Sequence, residues 1–200
     1  MVNNERVKGV IMVEHMEKRL TFASEKREKA AAGRKISTQD MVLCGVFTTL
    51  IAIGAFIKVP VPVVPFTLQF LFTMLAGLLL GGRKGALSVG VYILLGLVGL
   101  PIFAEGGGFW YILKPSFGYL LGFMLAAYVT GRMVERKGRL STGWVMAVNF
   151  LGLFIVYAAG MIYYYVICNY VIDTPIAIGP LFLYCFVLAV PGDICLCILA

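Results

Sequence analysis

Histidine occurs once in the 200 residues, at His15. Its scarcity excludes a Ser/His dyad, a histidine-based metal site and a histidine proton relay from the apolar part of the chain. Charge is thin as well: 14% of residues are charged, against about a quarter in a soluble domain. No phosphate-cradling loop of the G-x-x-x-x-G-K-[ST] type occurs, so ATP is not held in that way. There is no Ser/Lys or paired-Asp arrangement to support an intramembrane enzyme. The five cysteines, at 44, 168, 185, 195 and 197, lie in or beside apolar runs. Cys195-x-Cys197 lacks a second pair at metal-site spacing, so the thiols read as buried and inert, with no disulfide framework. The N-terminal region holds no apolar run of signal-peptide length; its longest is Val10-Ile11-Met12-Val13.

What the chain does have is grease. Sixty per cent of it is apolar and its mean hydropathy is +0.93, which indicates an integral membrane protein and excludes disordered and collagen-like chains. At about 20 residues per span the length holds six or seven helices and no sizeable soluble catalytic domain. Residues 1–40 carry nine Lys/Arg and six Asp/Glu and form a polar N-terminal extension. Within Ser37-Thr38-Gln39-Asp40, Ser37 can cap a helix while Asp40 reaches back. The transmembrane domain follows over 41–200. Apolar runs predict spans at about 41–57, 66–82, 85–103, 117–134 and 144–168, with a last one near the C-terminus. Proline and glycine clusters separate them, as span ends require.

Charge placement orients the spans. Arg83 and Lys84 lie in the second loop, and Arg132, Arg136, Lys137 and Arg139 in the fourth. With the nine in the N-terminal extension, 15 of the 17 basic residues fall on one side; Lys58 and Lys114 fall on the other. The positive-inside rule places the N-terminus and these two loops in the cytoplasm. The net charge of +7 is therefore topological and carries no implication of nucleic-acid binding. Phe109-Trp110-Tyr111, Trp144 and Tyr163-Tyr164-Tyr165 stand at span ends, as an interfacial aromatic belt does.

Small residues mark close helix packing. Gly118, Gly122, Ala126 and Thr130 form one face of the fourth span and predict an internal contact. Cys44, Thr48 and Ala52 do the same in the first, with Gly45 and Thr49 adjacent; this stripe is open to an internal or a partner contact. Polar residues at depth are few, and each needs a reason. Asp193, after Pro191-Gly192, reads either as a first-turn acid or as an acceptor for ligand N–H groups. Gln69 reads as a helix-to-helix tie or as a ligand contact. Glu105 and Lys114 sit in the outer loop, where Gly106-Gly107-Gly108 leaves backbone free to approach a ligand.

Pro65-Phe66-Thr67-Leu68-Gln69, Gly96-Leu97-Val98-Gly99-Leu100-Pro101-Ile102-Phe103-Ala104, Pro115-Ser116-Phe117-Gly118-Tyr119 and Pro191-Gly192-Asp193 occur in that order. Together they resemble the biotin-specific S component (BioY type) of energy-coupling factor transporters, from about residue 41 onward. The resemblance implies an all-α membrane protein of six transmembrane helices that captures biotin from outside and has no ATPase or cofactor of its own. It would dock on a transmembrane coupling protein carrying two ATPase subunits, in the cell membrane of a prokaryote. The implied docking face is Cys44, Thr48 and Ala52. Leu196 and Leu120 stand where family members often carry Lys and Arg, so a related vitamin is the alternative ligand. For biotin, Asp193 would accept from the ureido N–H groups and Gln69 would serve either ureido edge. Phe103, Trp110 and Tyr119 would cover the apolar ring, Gly107 would admit the loop backbone, and Lys114 would meet the carboxylate tail.

Pro191-Gly192 suits a helix entry better than a helix middle. A final span starting there leaves eight residues from Asp193 to Ala200, where a span needs about 20. The reading frame is therefore expected to continue for about 10–15 apolar residues and then Lys/Arg.

Overall fold

The computed structural model describes residues 37–59, 66–137 and 141–172, together with positions 174, 177, 179 and 193. They lie almost wholly in one compact unit, Gln39–Ala200. The expectations for residues 1–36 and for the course of the final span fall outside the described residues; Asp193 itself is helical.

Among the described residues five α-helices form the body: α1 Thr38–Phe56, α2 Gln69–Leu80, α3 Gly82–Val98, α4 Phe117–Arg136 and α5 Thr142–Tyr170. Three of them, α1, α4 and α5, are long and apolar enough to cross a membrane. α1 begins directly after Ser37 as expected, although Asp40 pairs with Lys84 of α3 at 2.5 Å. Two predicted boundaries move. The second span, expected from 66, begins as strand: Lys58–Val59 (β1) and Phe66–Thr67 (β2) pair antiparallel, and the helix starts only at Gln69. The third, expected to 103, stops at Val98, because Gly99 takes φ 120° and Pro101 follows. Phe103 therefore lies in a loop, where it exchanges backbone hydrogen bonds with Gly106.

The helices alternate in direction, so charges of like kind gather at common ends. α2 and α3 meet through Gly81 alone, whose φ of 84° suits glycine and makes the reversal tight. Glu135, in the last turn of α4, accepts from the Gly82 amide at 3.0 Å and from Arg132 at 3.1 Å. A carboxylate there satisfies an orphan amide and the positive end of the α3 dipole together. This is the basic end, with Arg83, Lys84, Arg132 and Arg136. Lys58, Glu105 and Lys114 lie at the opposite end, by the α2 start and the α3–α4 loop.

Glycine sets how closely the helices approach. A Cβ on Gly131 would lie 2.3 Å from the Gly82 nitrogen and 2.6 Å from the Gly77 carbonyl oxygen. On α4, Gly118 and Gly122 receive Tyr163 and Val156 of α5, while Ala126 and Thr130 are fully buried. The fourth-span stripe is thus internal. Thr130 and Thr48 satisfy their hydroxyls on carbonyls four residues back. Thr48 also lies 2.9 Å from the Ser88 carbonyl of α3, and Cys44 donates to the Lys84 carbonyl. Cys44 and Thr48 are accordingly buried against α3 and Ala52 is half-buried on the core. The small residues that α1 leaves outward are Gly45 and Thr49.

Gly131→Leu should overpack the basic end at a cost of about 1–3 kcal/mol. Thermal unfolding in detergent should show a melting temperature lower by at least about 2 °C. Gly45→Ala, where nothing lies within 4 Å, should leave it unchanged.

Candidate functional site

The end opposite the basic charges concentrates polar groups that are buried and bonded. Gln69 opens α2 and is 3% exposed. Its Nε2 donates to the Tyr92 hydroxyl of α3 at 2.8 Å, and Thr67 Oγ1 donates to its Oε1 at 3.4 Å. Tyr92, fully buried, passes its own hydrogen to the Ile102 carbonyl at 3.1 Å. The relay joins β2, α2, α3 and the following loop. Gln69 therefore makes the helix-to-helix tie, and its amide keeps one further N–H and one further lone pair for another partner.

The loop builds outward from this relay by aromatic contact. Gly96 has no side chain, and the Phe103 ring fills the space; a Cβ there would lie 2.1 Å from the ring. Phe103 meets Tyr92 edge-on at 5.4 Å and Tyr111 at 4.4 Å. The Gly108 amide bonds back to the Gly96 carbonyl at 2.7 Å. Gly107 is exposed, and a Cβ on it would strike the Leu100 carbonyl at 2.1 Å. Phe109–Leu113 then forms one short 3₁₀ turn. It buries Tyr111 and leaves Trp110 78% exposed. Burial holds the Tyr111 phenol above its usual ionisation range, so it stays neutral.

Lys114 crosses this turn. Its ammonium lies 5.1 Å from the Tyr111 ring centre, 3.0 Å from the Glu105 carboxylate and 3.2 Å from the Glu105 carbonyl. Lys58 reaches over from β1 to the Ala104 carbonyl at 2.7 Å. Both cations of this end are thus fastened to residues 104 and 105.

A second polar station lies between α4, α5 and Asp193. The Tyr157 hydroxyl of α5 donates to Asp193 Oδ2 at 2.5 Å. Tyr119 stands edge-on to Tyr157, with centroids 5.9 Å apart and rings at 88°. All three are buried. Tyr119 is the third residue of α4, so the station lies within roughly one helical turn, about 5 Å, of that helix's end.

The sequence-predicted residues thus fall into two connected sets. Gln69, Phe103 and Lys114 are joined through Tyr92 and Tyr111; Tyr119 and Asp193 are joined through Tyr157. Phe103, Tyr119 and the three linking tyrosines share one contiguous core cluster. Trp110 stands outside that cluster; Cys44 and Thr48 belong to the α1–α3 seam, and Ala52 packs half-buried on the core. Tyr92 and Tyr157 escaped the sequence reading. The available signal was that a phenol inside an apolar helix must find a hydrogen-bond partner.

Comparison with known proteins places these residues in context. The sequence profile described as the BioY family matches residues 25–200. A probable biotin transporter BioY of Lysinibacillus sphaericus is 48% identical over 162 residues, covering 81% of this chain and 83% of that protein. The biotin transporter BioY of Thermotoga maritima is 44% identical over 124 residues, covering 62% and 72%. The crystal structure of the S-component for biotin from an ECF-type ABC transporter superposes with TM-score 0.67 at 26% identity, covering 80% of this chain and 86% of that one.

Proposed function

The chain belongs to the BioY family, and from that premise we propose that it is the biotin-capture subunit of an energy-coupling factor transporter. The observation that carries the reading is Asp193, a buried carboxylate near one end of a helical membrane protein of this family. Such a group needs hydrogen-bond donors. Tyr157 supplies one, and the two ureido N–H groups of biotin are chemically suited to supply more. Gln69 takes the other ureido edge with its remaining N–H or lone pair. Phe103 and Tyr119 cover the apolar thioether ring. The carboxylate tail reaches Lys114, where it takes the place of the half-exposed Glu105 carboxylate; a pair that exposed is held weakly. Gly107 keeps the loop close to the α3 end. Trp110, outside the core cluster, joins the interfacial aromatic belt instead of the pocket.

The rest of the assignment follows from charge and division of labour. Residues 1–40 form the cytoplasmic extension and 41–200 the six-helix domain, multi-pass in the cell membrane. The basic end faces the cytoplasm and the aromatic-loop end faces outward. The chain carries out no chemistry. It relies on a transmembrane coupling protein with two ATPase subunits to drive release of biotin inward. α1 offers the docking side. Since Cys44 and Thr48 are turned to α3, the side available to a partner runs through Gly45 and Thr49 beside the half-buried Ala52.

Calorimetry on the purified chain should give tight binding of biotin and none of thiamine or riboflavin. Binding of either vitamin without biotin contradicts the assignment. Asp193→Asn should weaken biotin at least about tenfold, the equivalent of about 1.4 kcal/mol; an unchanged dissociation constant makes Asp193 purely structural. Thr49→Trp should leave biotin binding intact and block co-purification with the coupling protein. Retained assembly would move the docking side elsewhere.

A further inference from the structure

The binding scheme uses Tyr157 only as one donor to Asp193. Tyr157 is 3% exposed and sits midway along α5. Its ring has little freedom. Tyr119 stands edge-on against it, and Tyr119 is itself seated on Gly160, where a Cβ would lie 2.5 Å from the ring. The phenol therefore presents its hydroxyl to Asp193 Oδ2 from a fixed direction, at 2.5 Å. Among the described residues Asp193 accepts no other hydrogen bond. A phenol has one hydrogen to give, and an ionised carboxylate has about four lone-pair sites. Among the described residues, one bond to Oδ2 leaves lone-pair sites of the carboxylate for further donors. The bond also favours the charged form of the carboxylate, which burial alone disfavours.

Resting on the biotin-capture reading, we propose that Tyr157 is a positioning residue: it keeps Asp193 ionised and turns Oδ1 toward the N–H donors of the bound ligand. A carboxyl group that had taken up a proton would offer a competing O–H to those donors, so selectivity for an N–H-bearing ring depends on the tyrosine. Tyr157 acts through Asp193 and makes no contact with the ligand itself.

Two measurements test this. The first is a double-mutant cycle on biotin affinity with Tyr157→Phe, which retains the ring and its packing on Tyr119, and Asp193→Asn. Tyr157→Phe alone should weaken biotin about five- to tenfold. The double variant should bind like Asp193→Asn within about twofold. The second is difference infrared spectroscopy without ligand, in mildly alkaline buffer, with Asp193→Asn identifying the Asp193 band. Wild type should show an ionised carboxylate, and Tyr157→Phe should shift the band toward the protonated form. Losses that simply add, or a carboxylate band that Tyr157→Phe does not move, overturn the role. If wild type binds no biotin, the capture function falls, and the infrared band still decides the Tyr157–Asp193 coupling by itself.

Discussion

A hydroxyl, amide or carboxylate taken out of water costs about 1–3 kcal/mol when it is left unpaired, and lipid tails offer no partner. The placement of several polar groups among the described residues follows from that constraint, although the buried Thr73 hydroxyl finds no partner there. Thr48 and Thr130 settle their hydroxyls on carbonyls of their own helices. Gln69 and Tyr92 settle theirs on each other and on Ile102, and Asp193 settles on Tyr157. The first kind is complete and inert. The second kind uses groups with more hydrogen-bonding capacity than the described residues employ. A binding site for a polar ring in a membrane protein needs this arrangement: satisfied enough to fold without ligand, and incomplete enough to reward one.

The two ends of the molecule are built on different chemistry. At the basic end, the turn at Gly81, the close approach at Gly131 and the Glu135 cap hold α2, α3 and α4 backbone to backbone. Glycine permits this closeness because no side chain intervenes. At the other end the contacts are aromatic rings and long cations. Phe103, Tyr111 and Lys114 stack outward from the helices; Lys58 holds the loop by one polar contact and Lys114 by two, both to Glu105. The exposed Lys114–Glu105 pair exchanges at low cost.

Much of this was legible in the sequence, because the strongest signals are one-dimensional. Apolar run length pointed to the five described helices, and the Lys/Arg placement in the loops to their common ends. The four-residue spacing of Gly118, Gly122, Ala126 and Thr130 predicted an internal contact, and Gly118 and Gly122 make it with α5. What the sequence left open was direction around a helix. The first-span stripe suits a neighbouring helix and a partner protein equally well; only the carbonyls of Lys84 and Ser88 reveal that Cys44 and Thr48 face α3. Tyr92 and Tyr157 look like ordinary apolar-helix residues until their hydroxyls are followed to Gln69 and Asp193. Gly99 and Pro101 look alike in sequence whether they kink a span or end it, so the sequence does not show that the helix stops before Phe103. Nor does it show that the 3₁₀ turn buries Tyr111 and leaves the neighbouring Trp110 indole exposed.

The central claim is that the two polar stations, Gln69 with Tyr92 and Asp193 with Tyr157, are the two sides of one biotin site. A crystal structure of the full chain with biotin tests this most directly. The account predicts the ureido ring between Gln69 and Asp193, with an N–H bonded to Asp193 Oδ1 and the tail extending toward Lys114. Biotin bound elsewhere, or with its ureido ring away from Asp193, would contradict it.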